Sequence, residues 1–338
     1  MAVSPEAPTR GTHRTTLPNT VELSDTYDAE RMRAELALFC ARPGNAFSAA
    51  SGRRVLPLRS VAGDPYRTDC GGPSLVGFQD TRWLRQLPYF REILDGLPAP
   101  VRAARLWAAG PGGKDVTLRA AKMGPPWGLC RVHIAVAGGP RARVIFFDEL
   151  HHYPPGTLWF AAAWREYAVV NQDTSELVHL IVDLAHTAEF GALFPDPLQE
   201  ILAGPGTLRL RPAAPLPDPE SRCRTFQVPE SFANWERPGH LLHADSHRTR
   251  TRPGRHPMLV PAEIWLREGT PVLSLAGRPY CALEHLGDGE FRLRGWSDER
   301  TLRVSRRPDI PVLLTLNDGG MTYQIELPAD AASSGSAK

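Results

Sequence analysis

Arg131-Val132-His133 sets a guanidinium and an imidazole two residues apart in an apolar run. Alternate residues of a strand share a face, so a strand here turns both groups to one side. Such a pair suits an anion: the arginine grips a carboxylate or phosphate and the histidine moves a proton. His179 stands in a second apolar run, 177–184. His240, His243, Asp245 and His247 fall within eight residues, and His243-Ala244-Asp245 has a metal-binding spacing that would need a further ligand such as His256 or His285. A solvated loop at a domain junction is the competing reading. It competes equally for Arg248, Arg250, Arg252 and Arg255, a flexible arm able to hold phosphate or a carrier-protein face. His151-His152, beside Asp148 and Glu149, reads as a hairpin tip. Trp127, in a Pro-rich loop before Arg131, reads as lining a pocket mouth or anchoring its loop. The glycines at 110–113 open no helix, and neither a G-x-S-x-G nor a Walker motif occurs.

The composition excludes several settings for these groups. The 338 residues carry 39 basic and 37 acidic side chains, a net +2, which excludes a dedicated nucleic-acid binder. Only Lys114, Lys122 and Lys338 are lysines, so arginine clusters weigh less here than usual. No run of 18 apolar residues predicts a membrane span. Residues 1–19 lack an apolar signal core, and Cys40, Cys70, Cys130, Cys223 and Cys281 are scattered, so a cytoplasmic protein with reduced thiols is expected.

Element patterns divide the chain. Residues 1–22 read as a disordered arm. Asp25 or Thr26 is placed to cap a helix carrying Met32, Leu36 and Phe39, and 83–97 reads as helical with Pro88 opening its second part. Short strands then crowd 102–184, the signature of an antiparallel barrel or jelly roll. Residues 204–222, with six prolines, read as a linker. A C-terminal β-rich domain is expected over 223–330, with a hairpin at Asn317-Asp318-Gly319-Gly320, and a disordered tail over 331–338.

The stretch 55–183 resembles the aspartyl/asparaginyl β-hydroxylase family, which includes bacterial proline hydroxylases. The resemblance rests on segments in order: Leu87-Pro88-Tyr89-Phe90, Pro111-Gly112-Gly113, Arg131-Val132-His133-Ile134, Pro155-Gly156-Thr157-Leu158-Trp159, Val169-Val170-Asn171 and Val178-His179-Leu180. It implies a mainly β chain: a double-stranded β-helix over 23–203 with an N-terminal helical region. Members of this oxygenase fold hold Fe(II) with an H-x-D pair and a distal His, and grip 2-oxoglutarate with an Arg. By the resemblance Arg119 and Ala121 stand at the H-x-D positions, Tyr167 at the distal His and Leu177 at the Arg, so neither metal nor cofactor is expected.

If this register holds, Arg119, Arg131, His133, Tyr167 and His179 face the barrel interior. The expected function is then a metal-independent enzyme of specialised metabolism. His133, His179 and Tyr167 would be its acid/base groups, and Arg119, Arg131 and Trp127 would bind a small anionic or amino-acid-derived substrate, free or carrier-bound. With Glu166, Asp173 and Glu176 assigned to loops, the ligand is expected to supply the missing anion. Two alternatives stay open: a non-catalytic binding or scaffold protein of the same fold, and an Fe(II)/2-oxoglutarate hydroxylase with non-standard ligands. Oligomeric state is not legible.

Overall fold

The computed structural model describes residues 17–42, 47, 53–112, 114–119, 121–233, 259–318 and 320–328, and of 53, 114–119 and 318 the backbone only. The His240–His247 cluster and the 331–338 tail lie outside the described residues.

The chain is mainly β. Strand β1 (Thr20–Thr26) precedes helix α1 (Ala29–Cys40), β2 (Arg53–Val61), β3 (Phe78–Asp80) and helix α2 (Pro88–Gly96). Eight strands follow: β4 (Val101–Ala109), β5 (Lys114–Arg119), β6 (Leu129–Ala137), β7 (Ala142–Phe146), β8 (Glu149–His151), β9 (Thr157–Ala161), β10 (Tyr167–Asn171) and β11 (Leu177–Ala185). They form two antiparallel sheets, ordered β1-β9-β6-β11-β4-β2-β3 and β5-β10-β7-β8. Counting β4 to β11 as one to eight, the larger sheet carries 6-3-8-1 and the smaller 2-7-4-5.

The helices back the larger sheet. Asp28, rather than Asp25 or Thr26, caps α1 by accepting from Arg31 N at 3.0 Å. Met32, Leu36 and Phe39 form the buried stripe of α1. Glu35 on α1 accepts from Tyr89 N at 2.9 Å, which satisfies a donor in the first turn of α2. The expected arm is shorter than 1–22. From Thr20 it is β1, because Val21 and Leu23 alternate inward and the strand pairs with β9. Residues 1–16 lie outside the described residues.

After helices α3 (Ala188–Gly191) and α4 (Asp196–Ala203), the C-terminal unit is a sequential meander. Its strands are β12 (Arg224–Pro229), β13 (Leu259–Arg267), β14 (Thr270–Leu275), β15 (Arg278–Gly287), β16 (Glu290–Leu293), β17 (Arg300–Arg303), β18 (Val312–Asp318) and β19 (Met321–Leu327). Gln227 N donates to Pro328 O at 2.9 Å, so the first strand meets the end of the last and the meander nearly closes into a barrel.

The 204–222 stretch is not a bare linker. Leu208 N donates to Pro125 O at 2.8 Å and Leu210 N to His186 O at 2.9 Å, both on the N-terminal unit. Ala214 N donates to His285 O at 2.7 Å, and Arg211 grips Asp298 and Glu290 at 2.6 and 2.8 Å, all on the C-terminal unit. Its prolines remove donors from the strap, while the amides of Leu208, Leu210 and Ala214 find carbonyls on either side. A second seam runs through 70–75, where Ser74 N donates to Arg294 O at 2.9 Å and Ala282 N to Ser74 O at 3.1 Å.

Candidate functional site

Strand register sets the inward row of the barrel. Across β4, β11 and β6, Trp107 and Ala135 lie opposite His179, Arg105 and His133 opposite Ile181, and Arg131 opposite Asp183. From the smaller sheet, Tyr167 brings its hydroxyl 3.5 Å from Arg131 Nη1, and its ring lies 6.3 Å from that of His133. Arg131, His133, Tyr167 and His179 are therefore gathered as the sequence reading expects. Arg119 pairs with Tyr167 across β5 and β10, but its side chain lies outside the described residues. Trp127 is in a short 3-10 turn, edge-on to Trp164 at 6.4 Å, and no described contact ties it to this cluster.

The expected pocket is filled by protein. Arg131 donates through Nε to Asp183 Oδ1 at 2.6 Å and through Nη2 to Oδ2 at 3.1 Å, while Arg105 Nη1 reaches Oδ2 at 2.8 Å. The anion assigned to a ligand is thus the fully buried Asp183 carboxylate. Burial alone would raise the Asp183 pKa, but Arg105 and Arg131 outweigh it and hold the group well below the usual carboxylate range. Burial likewise works against the Arg131 cation, and Asp183 more than restores it.

Above this triad, His133 and His179 face each other, Nδ1 to Nδ1, at 3.2 Å. One nitrogen must donate and the other accept, so at least one of the two rings is neutral. Their Nε2 atoms are buried and have no hydrogen-bond partner among the described residues. Tyr153 stacks on His179 at 5.6 Å and on Trp159 at 4.6 Å, and its hydroxyl lies 2.7 Å from Thr20 Oγ1 on β1. A void of about 10 Å³ beside His179 has room for about one water. Burial, reinforced by His179 and Arg131, pushes the His133 pKa well below the usual imidazole value. Burial and His152 push His179 down to about 4. A general acid or base at neutral pH needs a value near 7 and access to its proton partner, and this pair has neither.

These shifts have a consequence for stability. The unfolded histidines take up protons near pH 6.5, whereas folded His179 does so only near pH 4. Because the folded value is the lower one, stability is full above the unfolded value and is lost as pH falls below it. The slope is about 1.4 kcal/mol per pH unit per histidine. Urea denaturation between about pH 7 and pH 4.5 should show this decline, and a shallower one in His179→Leu. A curve flat over that interval would contradict the buried neutral pair.

The residues present do not fit Fe(II) and 2-oxoglutarate. Tyr167, Ala121 and Leu177 offer none of the groups that the resemblance requires at their positions. Among the described residues no three His, Cys, Asp or Glu side chains are close enough to share a metal ion. The sequence reading missed Asp183, Arg105 and Tyr153. For Asp183 a signal was present: it lies four residues after His179 on one strand, and so on the same face.

No protein-family profile and no curated protein matches the sequence. Similar solved structures include a 2OG-Fe(II) oxygenase-family oxidoreductase from Burkholderia pseudomallei, 13% identical, covering 50% of this chain and 85% of that one with a TM-score of 0.33. The viral collagen prolyl hydroxylase of Paramecium bursaria Chlorella virus-1 is 7% identical, covering 50% of this chain and 97% of that one with a TM-score of 0.31. A Pseudomonas putida prolyl-4-hydroxylase is 13% identical, covering 50% and 93% with a TM-score of 0.28. These oxygenase-family likenesses are too distant to carry an argument about activity.

Proposed function

We propose that this chain is a non-catalytic binding protein in which a double-stranded β-helix of the hydroxylase type serves as a rigid support. The interleaved strand order of the two sheets supports the fold name. One observation carries the functional reading: Arg131, the anion-gripping residue whose side chain is described, spends Nε and Nη2 on Asp183. The acid/base enzyme reading needs that guanidinium free and an open space before His133. In its place are a buried ion triad and a packed imidazole pair.

Stability separates the two readings. Groups kept for catalysis are commonly neutral or costly to stability, whereas packed structural groups stabilise. His133→Ala should cost about 2–4 kcal/mol through its cavity and the orphaned His179 nitrogen. Thermal unfolding should show a Tm lower by several degrees. An unchanged or higher Tm would return the imidazoles to catalysis. In parallel, anaerobic titration with Fe(II) and 2-oxoglutarate should give no charge-transfer band; a stoichiometric band with succinate release would overturn the reading.

A further inference from the structure

The described buried arginines are Arg102, Arg105, Arg131, Arg222, Arg292 and Arg300. Four have a carboxylate: Arg105 and Arg131 share Asp183, Arg292 has Glu284 and Asp298, and Arg300 has Glu299. Arg102 lies against the Phe78 and Trp296 rings and donates to Gly295 O. Arg222, like Arg102, has no carboxylate and a buried Nε without a partner among the described residues, but of the six it alone lines a groove. It is 8% exposed, its Nη1 donates to Val304 O at 2.5 Å, and its Nε is buried with no partner. It lines an open groove of about 720 Å³.

That groove occupies one end of the C-terminal meander, where the start of β12, the β15–β16 turn and the β17–β18 connection come together. Arg303, Leu313 and Glu326 pair across β17, β18 and β19 in a row that faces outward, alternating with buried Leu302 and Leu314, so this is a groove on the outer rim, and its volume is that of a small-molecule site. Arg303, Arg306 and His285 line it together with Arg222, and so do the carboxylates of Asp288 and Glu326. Arg303 reaches only Glu290, at 3.6 Å, which Arg211 already holds. Arg306 has no ion pair among the described residues. Burial, then the Arg306 cation, lowers the Arg222 pKa, against the opposing pull of the Asp218 carboxylate. Ile310, Pro311 and Leu313 add an apolar flank.

We propose that this groove binds a small organic oxyanion, a phosphate or carboxylate on an apolar body, with Arg222 and Arg306 holding the charge and Ile310 and Leu313 the body. The site is separate from the β-helix, and the assignment stands whether or not that barrel is catalytic.

Phenyl phosphate, benzoate and benzyl alcohol are the probes, titrated into the full ¹⁵N-labelled chain. Phenyl phosphate or benzoate should shift the amides of Gly289, Ser305 and Ile310 saturably, and inorganic phosphate should compete. Arg306→Glu, an exposed change that leaves the fold intact, should weaken binding tenfold or more, and Arg222→Met should weaken it further. The preferred probe separates the two sources of the oxyanion. Three outcomes would overturn the site: equal affinity in Arg306→Glu, non-saturating shifts spread over surface arginines, or benzyl alcohol binding as tightly as the anions.

Discussion

Asp183→Ala is expected to give the largest loss of stability in the molecule, about 3–5 kcal/mol. The carboxylate is fully buried and accepts bonds from Arg131 and Arg105, whose side chains are 8% and 10% exposed. Its removal leaves two guanidiniums in a packed interior with no anion within reach. Total domain stability is about 5–15 kcal/mol, so the variant should be largely unfolded at moderate temperature or in low urea. The decisive control removes the charges together. In Asp183→Leu with Arg131→Met and Arg105→Met, an apolar core replaces the triad and should restore most of the stability, because burying the ions carries its own desolvation cost. Chemical denaturation of the two variants measures the difference. If Asp183→Ala is as stable as the parent, the triad is not structural and Arg131 is again available to a ligand.

The same residues show what the sequence could and could not tell. Period-two spacing placed Arg131 and His133 on one face, and the structure has them there, inside the barrel. The partner of Arg131 was hidden because pairing between β6 and β11 is a matter of register, and the two strands lie about fifty residues apart in sequence (Arg131 to Asp183, |i−j| of 52). Both strands read as continuous apolar runs, buried on two faces, so polar–apolar alternation did not mark Asp183, and only its even spacing from His179 pointed inward. Strands β15 and β17 are hard to read from sequence for a related reason. Their charged residues point into ion pairs: Glu284 holds Arg292, and Arg300 sits against Glu299. Charge then mimics a loop where the fold has a strand. The strap at 204–222 misled in the opposite sense, since its prolines suggest freedom while the amides of Leu208, Leu210 and Ala214 are tied to carbonyls on both units. Arg222, at the end of that strap, carried no signal at all. Its lack of a carboxylate is a fact of packing.

Glu299→Ala is the second large expected effect, and it bears on how the two barrels are joined. Glu299 is fully buried between them: Oε1 accepts from Lys122 Nζ of the N-terminal unit at 2.6 Å, and Oε2 from Trp296 Nε1 at 2.7 Å. Arg300 lies beside it on β17, with Nε at 3.4 Å. Burial would raise the Glu299 pKa, but Arg300 and Lys122 outweigh it and hold the carboxylate ionised, so the junction contains one anion between two cations. Removing it strips Lys122 and Arg300 of that anion in a site from which water is excluded, at a cost of about 3–5 kcal/mol. Unlike the triad, this network links two units, so the loss should fall on their docking. Calorimetry should resolve two transitions where the parent has one. Trypsin should then cut after Arg209 in the strap, which the parent protects. Glu299→Gln keeps an acceptor for Trp296 and loses only the charge, and should give an intermediate shift. A double-mutant cycle with Lys122→Met tests the coupling itself. An interaction of about 1–3 kcal/mol between positions 122 and 299 is expected. Strict additivity, with a single unchanged transition, would mean that the strap alone holds the barrels together and the buried pair does not.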